Sequence, residues 1–224
     1  MYTDFHAHIL PGMDHGSTST ETTRNQLSAA KELGISTIVA TSHFYPDIHR
    51  VGRYLEKREL SLKRLQDSVE DPPHIIPGAE VTLTYELPSL PDLEKLCISD
   101  TDYILIEVPE YTQTKWIFDA LYKISSVRKL RPIIAHIDRY EESIAEELMD
   151  MGYAVQINAE ALMSIRNRNK WIRKIVQKRI DLLGSDVHSD AKEYKYFSRS
   201  LKILKDHIPT LMQNADRILQ NRPL

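Results

Sequence analysis

Seven times along this chain a short apolar, β-branched run gives way to a polar loop and then, in most cases, to a longer stretch with helical spacing. The runs are residues 2–5, "ISTIVAT" (35–41), "HIIPGA" (74–79), "YILIEV" (103–108), "RPIIA" (131–135), "AVQI" (154–157) and "IDLL" (180–183). Helical stretches are predicted at about 20–33, 50–69, 113–129, 141–151 and 168–179, with two more beyond the last run at about 191–206 and 209–220. "TSTETT" supplies capping hydroxyls for the first helix, Gly34 stands where it should stop, and a short helix is expected to begin at Leu90-Pro91. Strand and helix alternating in this way call for a parallel sheet covered by its crossovers. Seven strands in one domain spanning 1–224, with no linker-like segment and no Gly-rich phosphate loop, favour an α/β barrel over an open doubly wound sheet.

A parallel α/β barrel builds its active site at the C-terminal ends of its strands. The first run ends in His6 and His8, the second leads to His43, the third to Glu80, the fourth holds Glu107, the fifth leads to His136, and the seventh to Asp186 and His188. The sixth ends in Asn158. A carboxylate inside a buried strand is costly unless something positive meets it. Residues two apart on a strand share a face, so His6 and His8 can chelate together, and Asp186 and His188 repeat that spacing. So many nitrogen and oxygen ligands without sulfur imply more than one divalent ion, a design suited to hydrolysing phosphate esters. Arg139, three residues past His136, is placed to take phosphoryl oxygens.

Composition removes the competitors. The single cysteine, Cys97, excludes a disulfide framework and a cysteine-rich zinc site, and six residues beyond it stands Tyr103, where a thiol phosphatase would need arginine. A formal net charge of -3 gives no basic nucleic-acid surface, and no apolar run reaches bilayer-spanning length. A soluble, cytoplasmic protein is expected. Tyr45, Pro46 and His49 are expected at the site mouth, with His49 facing solvent, and His74 and His207 are read as structural or exposed.

"FHAHILPGMDHGS", "TSHFYP", "PGAEV", "YILIEVP", "AHIDRY", "QINAEAL" and "LLGSDVHS" resemble the PHP (polymerase and histidinol phosphatase) superfamily, and most closely its bacterial capsule and exopolysaccharide protein-tyrosine phosphatase branch. The resemblance implies a distorted (β/α)7 TIM-like barrel with three divalent ions, manganese above all, with iron, zinc and cobalt as alternatives. It implies that His6, His8, Glu80 and Asp186 hold one ion, that Glu80, Glu107 and His136 hold a second, and that His43 and His188 hold the third. It assigns catalysis to Arg139, His43 and Asp186, and the implied substrate is the phosphotyrosine-bearing tail of a bacterial tyrosine autokinase. Two positions depart from the family pattern. His15 replaces a metal-binding aspartate and is taken as a ligand, which leaves Asp14 the weakest candidate among the N-terminal four. Lys192 and Lys195 stand where the family carries a second phosphate-binding arginine. A small-metabolite phosphoesterase of the histidinol phosphate kind and a catalytically silent metal-binding domain are the rival readings.

Overall fold

The computed structural model describes residues 1–109 and 115–224. The seven runs become β1 (Tyr2–Ala7), β2 (Ile35–Ala40) with β3 (His43–Phe44), β4 (His74–Pro77) with β5 (Glu80–Thr82), β6 (Tyr103–Glu107), β7 (Arg131–Ile134), β8 (Ala154–Asn158) and β9 (Leu182–Gly184). The second and third runs each break into two strands. The breaks lie side by side, and the ladder passes through them, with Gly78 N donating to Ala40 O at 2.9 Å and Glu80 N to Ser42 O at 3.1 Å. Among the described residues every strand pairing is parallel, in the orders β1-β2-β4 and β3-β5-β6-β7-β8-β9. The segment after β9 returns to β1 through the Ala7–Val187 bridge, with His8 N donating to Val187 O at 2.9 Å and Asp186 N to His6 O at 2.7 Å. The sheet therefore curls until its last strand meets its first, as the distorted barrel requires.

Register separates the two faces of this sheet. Glu80, Leu105, Ile133 and Ala154 pair in succession from β5 to β8, and Gln156 pairs with Leu182, so these residues point the same way. Phe5, Val39, Leu105, Ile133 and Leu182 form one apolar cluster inside the curl, floored by Ala215 and Ile218 of α7 (Ile208–Leu219). The alternate residues, such as Ile38, Ile104, Ile134 and Val155, pack outward against the helices. These are α1 (Thr20–Glu32), α2 (Val51–Ser68), α3 (Lys115–Ser126), α4 (Glu142–Asp150), α5 (Arg168–Val176) and α6 (Tyr194–Ile203). Their apolar stripes follow the 3.6-residue period, as with Ile117, Leu121 and Ile124 of α3.

The helix ends follow local chemistry. Ser19 Oγ accepts from Thr22 N at 3.1 Å to cap α1, and Gly34, at φ +77°, ends it in the left-handed region. The expected start of α3 at 113 lies outside the described residues. The helix expected to begin at Leu90-Pro91 is a 3₁₀ turn over Leu93–Leu96, because Asp92 at φ +60° breaks the chain direction ahead of it. The stretch predicted over 191–206 opens as a 3₁₀ turn, Ala191–Glu193, before α6. Among the described residues no helix is long and apolar enough to cross a membrane.

Candidate metal centre

The strand ends converge on one buried cluster at the open end of the barrel, opposite the α7 floor. His6 lies on β1 and His8 just follows it, and the broken second and third strands bring His43 and Glu80 opposite one another in register. Glu107 ends β6, His136 follows β7, and Asp186 and His188 follow β9. Three sets of donor atoms each gather within 4.8 Å: His6, His8 and Asp186; His43, Glu80 and Glu107; and His8, His43 and His188. His136 joins through Glu80, its Nε2 lying 2.7 Å from Oε1.

The donors face one another in a way that the protein alone does not satisfy. Glu80 Oε2 lies 3.3 Å from His6 Nε2, 3.2 Å from His8 Nε2 and 3.1 Å from His43 Nδ1. Yet Glu80 Oε2, His43 Nδ1, His136 Nδ1 and Asp186 Oδ1 are buried side-chain atoms without a hydrogen-bond partner among the described residues. The Nε2 atoms of His6 and His8 oppose each other at 3.1 Å. Their outer nitrogens are already committed, His6 Nδ1 to Gln156 Oε1 at 3.2 Å and His8 Nδ1 to Asp14 Oδ2 at 2.8 Å. Both acceptors require Nδ1–H, so in the neutral ring the lone pair lies on each Nε2. His188 follows the same rule, its Nδ1 donating to Asp186 O at 2.9 Å. Lone pairs and carboxylate oxygens converging in a buried space fit divalent cations, and this all-nitrogen-and-oxygen set suits hard to borderline ions.

The acids and bases of the cluster shift one another: against its burial, His8 is pushed well above the usual imidazole range by Asp14, Asp186 and Glu80. Burial would raise the Glu80 carboxyl, but His6, His136 and His8 around it hold it well below the usual carboxylate range. Burial opposes Asp186 too, and His6 and His8 hold it low. Burial pulls His43 and His188 down to about 4, which keeps both rings neutral and ready as ligands near pH 7. His136 goes up to about 9 against its burial, because Glu107 and Glu80 face it. Two positions in the cluster carry backbone strain, His136 at φ +28° and Asp186 at φ +54°, as residues held for function often do.

Above the cluster opens a cleft of about 450 Å³ whose wall includes His15, Tyr45, Arg139, Glu160, Glu193 and Tyr196. The Arg139 guanidinium is anchored by Nη2 to Asp186 Oδ2 and remains part-exposed at the mouth. Tyr45 stacks on His43, with centroids 5.2 Å apart and planes 19° apart.

A family model for capsular polysaccharide synthesis, CpsB/CapC, matches residues 2–222. The chain belongs to the CpsB/CapC family. It is 28% identical to the tyrosine-protein phosphatase YwqE of Bacillus subtilis (strain 168), an alignment covering 99% of this chain and 92% of that protein. It is 29% identical to the tyrosine-protein phosphatase CpsB of Streptococcus pneumoniae, over 90% of this chain and 88% of that one. A crystal structure from work on YwqE and CpsB, described as unique metal-dependent tyrosine phosphatases, superposes with a TM-score of 0.83 at 27% identity, covering 99% of this chain and 96% of the other. The lactonase Lmo2620 of Listeria monocytogenes shares the fold alone, at a TM-score of 0.56 and 12% identity.

Within this CpsB/CapC chain the sequence-predicted residues fall into three classes. His6, His8, His43, Glu80, Glu107, His136, Asp186 and His188 share the cluster, with Arg139 at its rim. His15 is exposed and outside the three donor sets, its ring 4.7 Å from that of His188 and 4.9 Å from that of His43. Lys192 and Lys195 are not brought in: both are exposed, neither lines the cleft, and Lys195 Nζ sits 4.6 Å over the Tyr196 ring. That segment turns Glu193 and Tyr196 toward the cleft instead, with Glu193 Oε2 accepting from His188 N at 2.8 Å. His49, expected in solvent, is half-buried, its Nδ1 accepting from Tyr45 N at 3.1 Å.

Sequence reasoning missed two supporting residues. Gln156 Oε1 accepts from His136 N at 2.6 Å as well as facing His6, while its Nε2 donates to Asn158 Oδ1 at 2.9 Å. The alternation of Gln156 and Asn158 in "AVQIN" was the available signal, because it sets two amides on the inner face. Asp4 binds Ser185 N at 2.7 Å, Ser185 Oγ at 2.6 Å and Tyr194 OH at 3.0 Å, which pins the loop carrying Asp186 to β1.

Proposed function

We propose that this chain is a metal-dependent phosphotyrosine phosphatase, with three divalent ions, manganese foremost, held by the strand-end cluster. In this reading His6, His8, Glu80 and Asp186 hold one ion, Glu80, Glu107 and His136 a second, and His43 and His188 a third with His15 beside them. Such ions polarise phosphoryl oxygens and make water nucleophilic near neutral pH. Arg139 supplies the chain's own charge at the mouth: anchored through one nitrogen on Asp186, it offers its remaining N–H donors to the phosphoryl group. His8, held by Asp14, and His6, held by Gln156, keep their Nε2 atoms aimed inward without reorganisation. Tyr45, stacked on His43, and Tyr196 give the cleft aromatic walls suited to a phenyl ring. The phenolate of tyrosine, with a pKa of about 10, leaves with little help from a general acid.

The observation that carries this reading is Glu80 Oε2, buried and without a hydrogen-bond partner among the described residues, yet faced by three imidazole nitrogens at 3.1, 3.2 and 3.3 Å. The physiological substrate in this reading is the phosphotyrosine tail of a bacterial tyrosine autokinase controlling capsule or exopolysaccharide synthesis, met in the cytoplasm. The buried free thiol of Cys97 accords with a reducing compartment.

The test is hydrolysis by the full chain reconstituted with manganese, iron, cobalt or zinc. Phosphotyrosine peptides are expected to be cleaved well above histidinol phosphate, and Glu80→Gln to abolish cleavage while the fold persists by circular dichroism. Preference for histidinol phosphate would transfer the chain to small-metabolite chemistry. Absence of hydrolysis with all four metals would leave a silent metal-binding domain.

A further inference from the structure

Next to the metal cleft lies a second cavity, of about 400 Å³, lined by Met13, Ile48, His49, Tyr54 and three cations, Arg50, Arg53 and Lys57. The cations share one face because their spacing of three and four follows the helical repeat as α2 begins. Among the described residues no carboxylate lies within 4.0 Å of any of the three. Lys57 Nζ is steadied by Met13 O at 2.8 Å, and the Arg50 and Arg53 side chains are exposed. His49 adds a directed donor, since Nδ1 accepts from Tyr45 N at 3.1 Å and the neutral ring therefore carries its proton on Nε2. The remaining wall is apolar: Met13 and Tyr54 are buried, and Ile48 is 76% exposed at the rim. Unpaired guanidiniums beside such a wall suit an anionic group on an apolar or aromatic stem.

The two cavities share a partition. Tyr45 lines the metal cleft and stacks on His43, and its other neighbour is His49, with ring centroids 5.6 Å apart. Met13 immediately precedes Asp14, which holds His8. An extended polypeptide advances roughly 3.3 Å per residue, so a peptide whose phosphotyrosine enters the cleft needs only a few residues to cross the Tyr45–His49 partition toward the second cavity.

We propose that this cavity is a docking subsite for a second anionic side chain, a carboxylate or another phosphotyrosine, on the polypeptide being dephosphorylated; the proposal rests on the phosphatase reading above. The subsite makes the enzyme choose among phosphotyrosines by their acidic neighbours without touching the reacting phosphate.

The experiment uses the metal-loaded full chain and matched peptides: one with a single phosphotyrosine among neutral residues, others with one Glu or a second phosphotyrosine two to four positions to either side. KM and kcat are measured, and calorimetry follows binding of the corresponding non-hydrolysable phosphonate peptides. In wild type the best-placed anion is expected to lower KM and Kd by about 10-fold. The double variant Arg50→Gln/Arg53→Gln is expected to lose that preference while kcat and p-nitrophenyl phosphate hydrolysis stay unchanged. Whether the Glu or the phosphotyrosine series responds identifies the group recognised. Equal KM and Kd across the peptides, or a preference that survives in the variant, overturns the subsite. A wild type that cleaves nothing defeats the phosphatase reading, and phosphonate binding still decides the subsite on its own.

Discussion

Gln156 decides which nitrogen of His6 is free, and it does so with an oxygen that can only accept. That oxygen also takes His136 N at 2.6 Å, so one buried amide orients two members of the cluster. Gln156→Leu preserves much of the volume, strands the His136 N–H at a cost of about 1–3 kcal/mol, and frees the His6 tautomer. Metal affinity should fall about 10- to 100-fold, as measured by competition with a chromophoric chelator; an unchanged affinity would remove Gln156 from its orienting role. A different residue reports on pH. Asp181 is lifted to about 6 by burial, although its carboxylate accepts from Val155 N at 2.9 Å. A carboxyl raised in the folded state contributes stability that is fully present below its unfolded pKa, near 3.9, and is lost as pH rises through about 6. Asp181→Asn keeps the acceptor and removes the charge. Relative to wild type, its stability in urea should gain on the order of 1–2 kcal/mol between pH 5 and 7.5, and a pH-independent difference would sink the assignment.

At the scale of elements, the legible and the hidden divide at irregularities in the strands. The seven apolar runs were readable because each is short, β-branched and bounded by turn residues. The two breaks were not, since nothing in "ATSHF" or "PGAEV" announces that neighbouring strands bend at one level. The bulge in β1 was hidden as well: Asp4 pairs with Ile38 and Ala7 with Ala40, three steps against two. Strict alternation would put Asp4 on the face of His6 and His8, but Asp4 reaches Tyr194 of α6 while Phe5 joins the inner apolar cluster. Parity thus brought His6 and His8 together and concealed the residue that braces them. The lysines failed for a related reason, because residue spacing alone does not say which face of the turn before α6 meets the cleft. Close approach between elements is tested at Gly184, where an added Cβ would stand 2.6 Å from both Gln156 Nε2 and His6 Cβ. Gly184→Ala should lower stability by about 1–3 kcal/mol and weaken metal binding, since both displaced neighbours serve the cluster. A variant with wild-type Tm would show that β8 and β1 yield freely.

For the molecule as a whole, the closure of the barrel and the donor cluster are the same place. His6 belongs to the first strand and His8 follows it, while Asp186 and His188 follow the last, so the seam between β1 and β9 carries half of the eight clustered side chains. Two backbone bonds hold it, His8 N to Val187 O at 2.9 Å and Asp186 N to His6 O at 2.7 Å, and the Asp4 carboxylate adds side-chain contacts to Ser185. Opposite the seam, β6 and β7 pair through four consecutive registered residues. A cation that binds only the folded chain stabilises it by mass action, about 2.7 kcal/mol at a free concentration 100 times its Kd. Held between first and last strands, such a cation stabilises closure more than any other part of the sheet, because separating the strands also separates its ligands. Chelation should therefore lower Tm by several degrees and act unevenly. Hydrogen exchange at the His8 and Asp186 amides should accelerate far more than at the Leu105 and Ile133 amides in β6 and β7, and restored manganese should reverse the difference. Uniform acceleration would mean that the ions stabilise the molecule without stapling its seam, and no change in Tm would mean that the barrel closes without them.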